Sequence, residues 1–248
     1  MAVMLCAGRQ AMVERAVRCY RAQTYHPRQL VVFDNGAQQI EMVWLPDEIH
    51  VDARRFAGET IGALRNAANA ACYGADILCH FDSDDWSHPA RLTEQVALLQ
   101  SSGKQCVGYR RALFWDTRPS APAAWEYTAP SWMETYSIDA ARCYWRAYWE
   151  ARPLVDAPIA DFAWWAADPG SFVGEVPPEP RMVCGIHGDN MSGSYRPDVM
   201  SKPEWRRAPE FDAYCALCTG ADGGNIGAWN HGNTTTSRRR GLRRLRRR

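Results

Sequence analysis

The residues with the clearest capacity for chemistry sit in one short run, His80-Phe81-Asp82-Ser83-Asp84-Asp85-Trp86. Three carboxylates fall directly after the apolar stretch from Ile77 to Phe81. A hard divalent cation takes oxygen ligands, and Mg²⁺ usually keeps one or two carboxylates and fills its shell with substrate phosphates. Asp82 and Asp84, separated by Ser83 at the end of a buried strand, could supply such a half-site, with a diphosphate completing it. The same stretch has a second use. Asp84, Asp85 or Ser87 could cap a helix beginning near Pro89, because oxygens at an N-cap accept the free N–H groups of the first turn. Locally the two readings stand level.

The elements around this run set its position. Val3-Met4-Leu5-Cys6 reads as a buried strand ended by Gly8. Residues 10–23 place Val13, Val17 and Tyr20 on one helical face, and His26-Pro27 breaks that helix. Leu30 to Phe33 is a second strand, ended by the turn signal Asp34-Asn35-Gly36. Residues 59–73 give a helix with Ile61, Leu64, Ala68 and Ala71 on one face. Asp76 to Phe81 is a third strand, and Pro89 opens a helix faced by Leu92, Val96 and Leu99. Strands alternating with helices imply an α/β fold with a mostly parallel sheet covered on both faces. Ligands bind such sheets beyond the carboxyl ends of the strands. Asp34 and the acids at 82–85 both fall there, so they are expected to face one cleft.

The combined pattern is more specific than any of its parts. Gln23-Thr24-Tyr25 precedes the strand Leu30–Phe33 and Asp34-Asn35-Gly36. Gly62 leads to Leu64-Arg65-Asn66 and a helix rich in small residues, then a strand, Asp82-Ser83-Asp84-Asp85, and Pro89-Ala90-Arg91-Leu92. This resembles the family 2 glycosyltransferases of the GT-A fold, clearly over residues 2–100 and loosely over 140–195. The resemblance implies a Rossmann-like sheet flanked by helices, with a less regular, aromatic-rich acceptor side. It implies residues 1–103 as the nucleotide-sugar-binding half and residues 104–218 as the acceptor half of the same domain. Residues 219–248, rich in Gly, Asn and Thr and then in Arg, have little to bury and read by composition as a disordered extension.

It also implies roles. Asp34 would lie against the nucleotide base, and Arg65 would reach the donor's phosphates or sugar. Asp82 and Asp84 would hold Mn²⁺ or Mg²⁺ against the diphosphate of a nucleotide sugar, a UDP-sugar first, with Ser83 beside them. Ile186-His187-Gly188-Asp189-Asn190-Met191-Ser192 is similar to a late family segment, so His187 would complete the metal shell. Residues 153–165 resemble the segment carrying the base of an inverting transfer; Asp161 would be that base, with Ala160 where Glu is usual and Asp156 as its substitute. The first strand departs from the family: Ala7-Gly8-Arg9 replaces Pro-x-Tyr-Asn, so Ala7 would approach the nucleotide and Arg9 would contact phosphate.

The whole chain bounds the rest. It has 248 residues, enough for one large domain or two small ones. Arg238, Arg239, Arg240, Arg243, Arg244, Arg246, Arg247 and Arg248 close the sequence, and the formal net charge of +1 becomes −7 once these eight are set aside. Such a block can hold nucleic acid or an anionic membrane surface. No apolar run is long enough to span a bilayer, and no basic segment precedes the first apolar stretch, so a cytoplasmic protein, peripheral at most to a polyanionic surface, is expected. Nine scattered cysteines read as free, partly buried thiols, and Cys215-x-x-Cys218 lacks the second pair that zinc would need. The acceptor is read as a glycan, a lipid-linked or another hydroxyl. Two rivals stand beside the transferase: an inactive domain that binds a nucleotide sugar or glycan, and a nucleic-acid-associated protein, such as a DNA-base glycosylating enzyme, recruited by its arginines.

Overall fold

Three buried parallel strands form the centre of the first sheet. The computed structural model describes residues 1–158, 160–190 and 195–220. In chain order the first half runs β1 (Ala2–Cys6), α1 (Gln10–Arg21), β2 (Leu30–Asp34), β3 (Glu48–Asp52), α2 (Ile61–Ala70), β4 (Ile77–His80), β5 (Trp86–Ser87) and α3 (Arg91–Ser102). The second half runs β6 (Cys106–Tyr109), β7 (Arg111–Asp116), β8 (Ala123–Thr128), β9 (Cys143–Trp145), α4 (Arg146–Ala151), α5 (Ala160–Ala167), β10 (Phe172–Glu175), β11 (Met182–Ile186), α6 (Pro197–Met200), β12 (Trp205–Arg207) and α7 (Asp212–Thr219).

The first sheet has the order β10-β6-β9-β4-β1-β2-β3. β1 pairs in parallel with both β2 and β4, while β9 runs antiparallel between β4 and β6. Side chains alternate across β1. Met4 belongs to one buried cluster with Val13, Val17 and Leu92 of α1 and α3, and Val3 belongs to another with Leu64 and Ala68 of α2 and Trp164 of α5. Both faces are covered, as an all-buried parallel core requires.

Residues 104–218 are more regular than the aromatic-rich sequence suggests. β6, β9 and β10 extend the first sheet, and β12-β8-β7-β11-β5 form a second sheet of five strands. Trp149, Trp164 and Trp165 are core, while Trp132 is exposed. The short edge strand β3 was not anticipated, because Glu48-Ile49-His50-Val51-Asp52 is polar and half exposed.

Two local expectations are settled by the backbone. α3 begins at Arg91, later than Pro89, and its N-cap, Ala90, has no side-chain cap. Ser87 instead accepts a hydrogen bond from Arg91 Nη1 at 2.8 Å. The acids at 82–85 therefore are not the cap of that helix. All nine cysteines are free and buried, Cys215 and Cys218 among them. Among the described residues no helix is long and apolar enough to cross a membrane. The arginines from Arg238 onward lie outside the described residues, as do Met191 and Ser192.

Candidate active site

The acidic turn leaves the carboxyl end of β4, beside β1 in the middle of the sheet. β5 follows it at once and pairs antiparallel with β11, Trp86 opposite Val183 and Ser87 opposite Met182. Continuing that register carries Gly185 to the acids. Its N–H donates to Asp85 Oδ1 at 3.0 Å. A Cβ on Gly185 would stand 2.7 Å from the Asp84 carbonyl oxygen, so only glycine permits this approach. Asp85 is thereby a buried link between turn and strand, and its burial, with the charges of Asp84 and Asp82 beside it, pushes its carboxyl well above the usual range.

Two residues further on, His187 Nε2 lies 2.9 Å from Asp84 Oδ2. Asn190 braces the loop: its Oδ1 accepts from the His187 N–H at 2.6 Å, and its Nδ2 donates to the Gly185 carbonyl at 3.0 Å. The Asp189 N–H donates to His187 Nδ1 at 3.1 Å. In this arrangement Nε2 carries the imidazole proton and donates a hydrogen bond to Asp84, and a metal bound at Nε2 would take the place of that proton. Burial works to raise the Asp84 carboxyl, but the hydrogen bond from His187 and the Arg9 charge outweigh it and hold it below its ordinary value.

The loop after β1 brings Arg9 to the same place. Gly8 takes a φ of +76°, and a Cβ on Gly36 would stand 2.4 Å from the Gly8 nitrogen, so the loops after β1 and β2 lie backbone to backbone. Ala7 is exposed on this loop. Arg9 Nη1 lies 3.3 Å from Asp84 Oδ2 and 3.1 Å from His187 Nε2, and Arg9 Nη2 donates to Ser83 Oγ at 3.3 Å. Arg15 of α1 adds a second cation, donating to the Asp84 carbonyl at 2.7 Å. A cavity of about 180 Å³ opens beside these groups, lined by Met12, Arg15, Asp84, Trp115 and His187.

Asp82 turns the other way. Its Oδ1 pairs with Arg65 Nη2 at 2.6 Å, and Arg65 is buried on α2. Among the described residues Arg65 Nε and Nη1 have no hydrogen-bond partner. Two buried guanidinium donors beside the acidic turn suit an incoming oxyanion. Behind Arg65 is an interior cluster. Fully buried Arg142 donates to Asp161 Oδ1 at 3.3 Å and pairs with Asp139 at 3.0 Å. His80 donates Nδ1–H to the Asp139 carbonyl at 2.8 Å, and burial beside the Arg65 charge pushes its imidazole well below the ordinary range, so it is neutral.

The predicted site residues therefore divide. Arg9, Ser83, Asp84 and His187 converge, and Arg65 with Asp82 adjoins them. Asp161 is 4% exposed and closed against Arg142. Asp34 has no exposed surface; its oxygens accept from the N–H groups of Gly36 and Ile40 at 3.0 and 2.8 Å. It shapes the loop after β2, and in this conformation it presents no free carboxylate to a base. Asp156 is exposed and accepts from the Thr60 hydroxyl, at the N-cap of α2. Among the described residues no three His, Cys, Asp or Glu side chains already stand as a closed metal cage. Asp84 and His187, with Asp82 nearby, fit an oxygen-rich half-site whose remaining ligands come from a diphosphate. Sequence reasoning missed Arg15 and Arg142. Arg15 is one of three arginines along α1 and its spacing does not set it apart, and nothing local distinguishes Arg142 from a surface arginine.

A mostly parallel sheet with one antiparallel strand inserted, and an acidic turn at its carboxyl edge, is the GT-A architecture. Solved glycosyltransferases share it. TarS of S. aureus, residues 1–349 with UDP-GlcNAc, superposes with a TM-score of 0.56 at 11% identity, over 79% of this chain and 61% of that one. The mannosyltransferase PcManGT of Pyrobaculum calidifontis, with GDP-Man and Mn²⁺, gives 0.52 at 15% identity, over 74% and 55%. This chain thus spans roughly three-fifths of the length of those structures. Residues 2–146 match the family described as Glycosyl transferase family 2, and the chain belongs to that family. No protein of curated function matches the sequence.

Proposed function

We propose that this chain transfers a sugar from a nucleoside-diphosphate donor, a UDP-sugar first, to an acceptor hydroxyl with inversion. The observation that carries the reading is the meeting of Arg9, Ser83, Asp84 and His187 beside the Arg65–Asp82 pair. Two arginines and two acids at one strand edge form a place where a diphosphate and a hard cation can lie together. Arg65 offers its two unpartnered donors to the diphosphate, and Arg9 offers a second guanidinium. Asp82, Asp84 and His187 would hold Mn²⁺ or Mg²⁺, which supplies Lewis-acid stabilisation of the charge on the departing diphosphate. TarS and PcManGT, solved with a nucleotide sugar, support the donor class.

The acceptor oxygen attacks the anomeric carbon from the face opposite the diphosphate. The bond from that carbon to the diphosphate oxygen breaks, and the hydroxyl proton passes to a carboxylate. Asp161 is preferred over Asp156 for that role. It shares the electrostatic surroundings of Arg65 with Asp82, whereas Asp156 serves the N-cap of α2. The closed Arg142–Asp161 pair favours one rival, a domain that binds the donor without transferring it.

Thermal-shift measurements with UDP and GDP, each with and without MnCl₂, test the reading. A rise in Tm is expected only where diphosphate and metal are present together. If no nucleotide gives a metal-dependent rise, the proposal fails. Donor hydrolysis or transfer then separates the enzyme from the binding module.

A further inference from the structure

We propose that Arg9 is a built-in counter-ion that occupies the cation seat at Asp84 and His187 until a metal–nucleotide arrives, and then moves onto the diphosphate. The inference rests on the metal reading above and adds a competitor for that seat within the chain itself. Arg9 Nη1 stands 3.3 Å from one prospective ligand atom, Asp84 Oδ2, and 3.1 Å from another, His187 Nε2. A guanidinium and a divalent ion cannot share that space, since both are cations and both need the same carboxylate oxygen.

The geometry also marks Arg9 as displaceable. Its contacts to Asp84 and Ser83 are both 3.3 Å, long for charge-assisted hydrogen bonds. The neighbouring Arg65–Asp82 pair, by contrast, closes to 2.6 Å. Arg9 Nε is buried without a hydrogen-bond partner among the described residues, so the side chain is held through its tip alone. The backbone behind it is fixed by the contact of Gly8 with Gly36, while the side chain remains 24% exposed. A long side chain on a fixed base can leave Asp84 without moving the loop. A planar guanidinium, released beside a diphosphate, meets its oxygens with two parallel N–H groups.

Mn²⁺ binding measured by electron paramagnetic resonance of the free ion tests this without recourse to turnover. The comparison is between the full-length protein, Arg9→Ala and Arg15→Ala, each with and without UDP. Arg15 is the control, a cation that touches the Asp84 carbonyl but not its carboxylate. Without UDP, Arg9→Ala should bind Mn²⁺ about tenfold tighter or more, the scale expected for removing a unit charge a few ångströms from the seat. Arg15→Ala should gain clearly less. With UDP the advantage of Arg9→Ala should shrink, because the diphosphate has already drawn Arg9 away. The inference is overturned if Arg9→Ala gains nothing without UDP, or if Arg15→Ala gains as much. Wild-type protein that binds Mn²⁺ no better with UDP than without overturns the metal reading itself, and this proposal with it.

Discussion

Asp84 and His187 are 103 positions apart in the chain and 2.9 Å apart in space. β11 joins them. Its two-pair ladder with β5 sets the register, and Gly185 and Asn190 hold the turn and the loop in place. The pair ties the two sheets together at the point where the donor phosphates are proposed to lie.

Asp84→Asn and His187→Ala should each abolish the metal-dependent part of nucleotide stabilisation. Changes one shell outside a metal commonly cost about 10- to 100-fold in affinity, and a direct ligand should cost at least as much. Thermal shift with UDP and MnCl₂ reads this. A His187→Ala protein that keeps the full shift removes His187 from the metal.

Asp161→Asn should retain nucleotide and metal binding but lose transfer by about 10²- to 10⁴-fold, the usual contribution of a general base. Asp156→Asn should change little, since an amide oxygen can still accept from Thr60. Equal losses in the two variants, or none in either, would reject Asp161 as the base.

By the resemblance of residues 153–165, Ala160 would stand where Glu is usual, and the packing here leaves little room for one. Ala160 has no exposed surface, and a Cβ on the facing Gly62 would come within 2.9 Å of its own Cβ. Ala160→Glu should therefore destabilise the fold by about 1–3 kcal/mol from overpacking alone, with a further cost for the enclosed carboxylate. Urea denaturation of the variant tests this; unchanged stability would show that α2 and α5 can separate freely.

The buried thiols give a pH signature. Burial pushes Cys72 up to about 11 and Cys106 and Cys215 up to about 12. In the unfolded chain these groups titrate near 9, so between pH 9 and the native values the folded state holds more protons. Stability is therefore whole below about pH 9 and falls as pH climbs toward 11, by up to about 1.4 kcal/mol per thiol per pH unit. Native protein at pH 8 should show no fast-reacting thiol with a disulfide reagent, and all nine should react once it is denatured without reductant. Fast native reaction would contradict the burial.

What the sequence disclosed follows the range of the interactions. β1, β2, β4 and the helices between them were legible, because apolar period and Gly, Pro and Asn punctuation act locally. The acidic turn was legible as a feature and ambiguous as a function, since capping and metal binding ask for the same residues. The uncapped N-terminus of α3 sets the capping reading aside. Arg65 and His187 were reached through resemblance and then found beside the acids. The enclosure of Asp34 by its own loop, the Arg142–Asp161 pair and the second sheet depend on contacts between distant segments. No spacing within one segment encodes them.

The dependence of the acidic turn on β11 also sets an order of assembly. During synthesis the turn at 82–85 emerges long before Gly185 and His187 exist. Until β11 is made, Asp85 lacks the Gly185 N–H that donates to its carboxyl oxygen, and Asp84 lacks its imidazole. A nascent chain that already possesses β1, β2 and β4 is thus still without the meeting of Arg9, Asp84 and His187, which is complete only once the last strands dock.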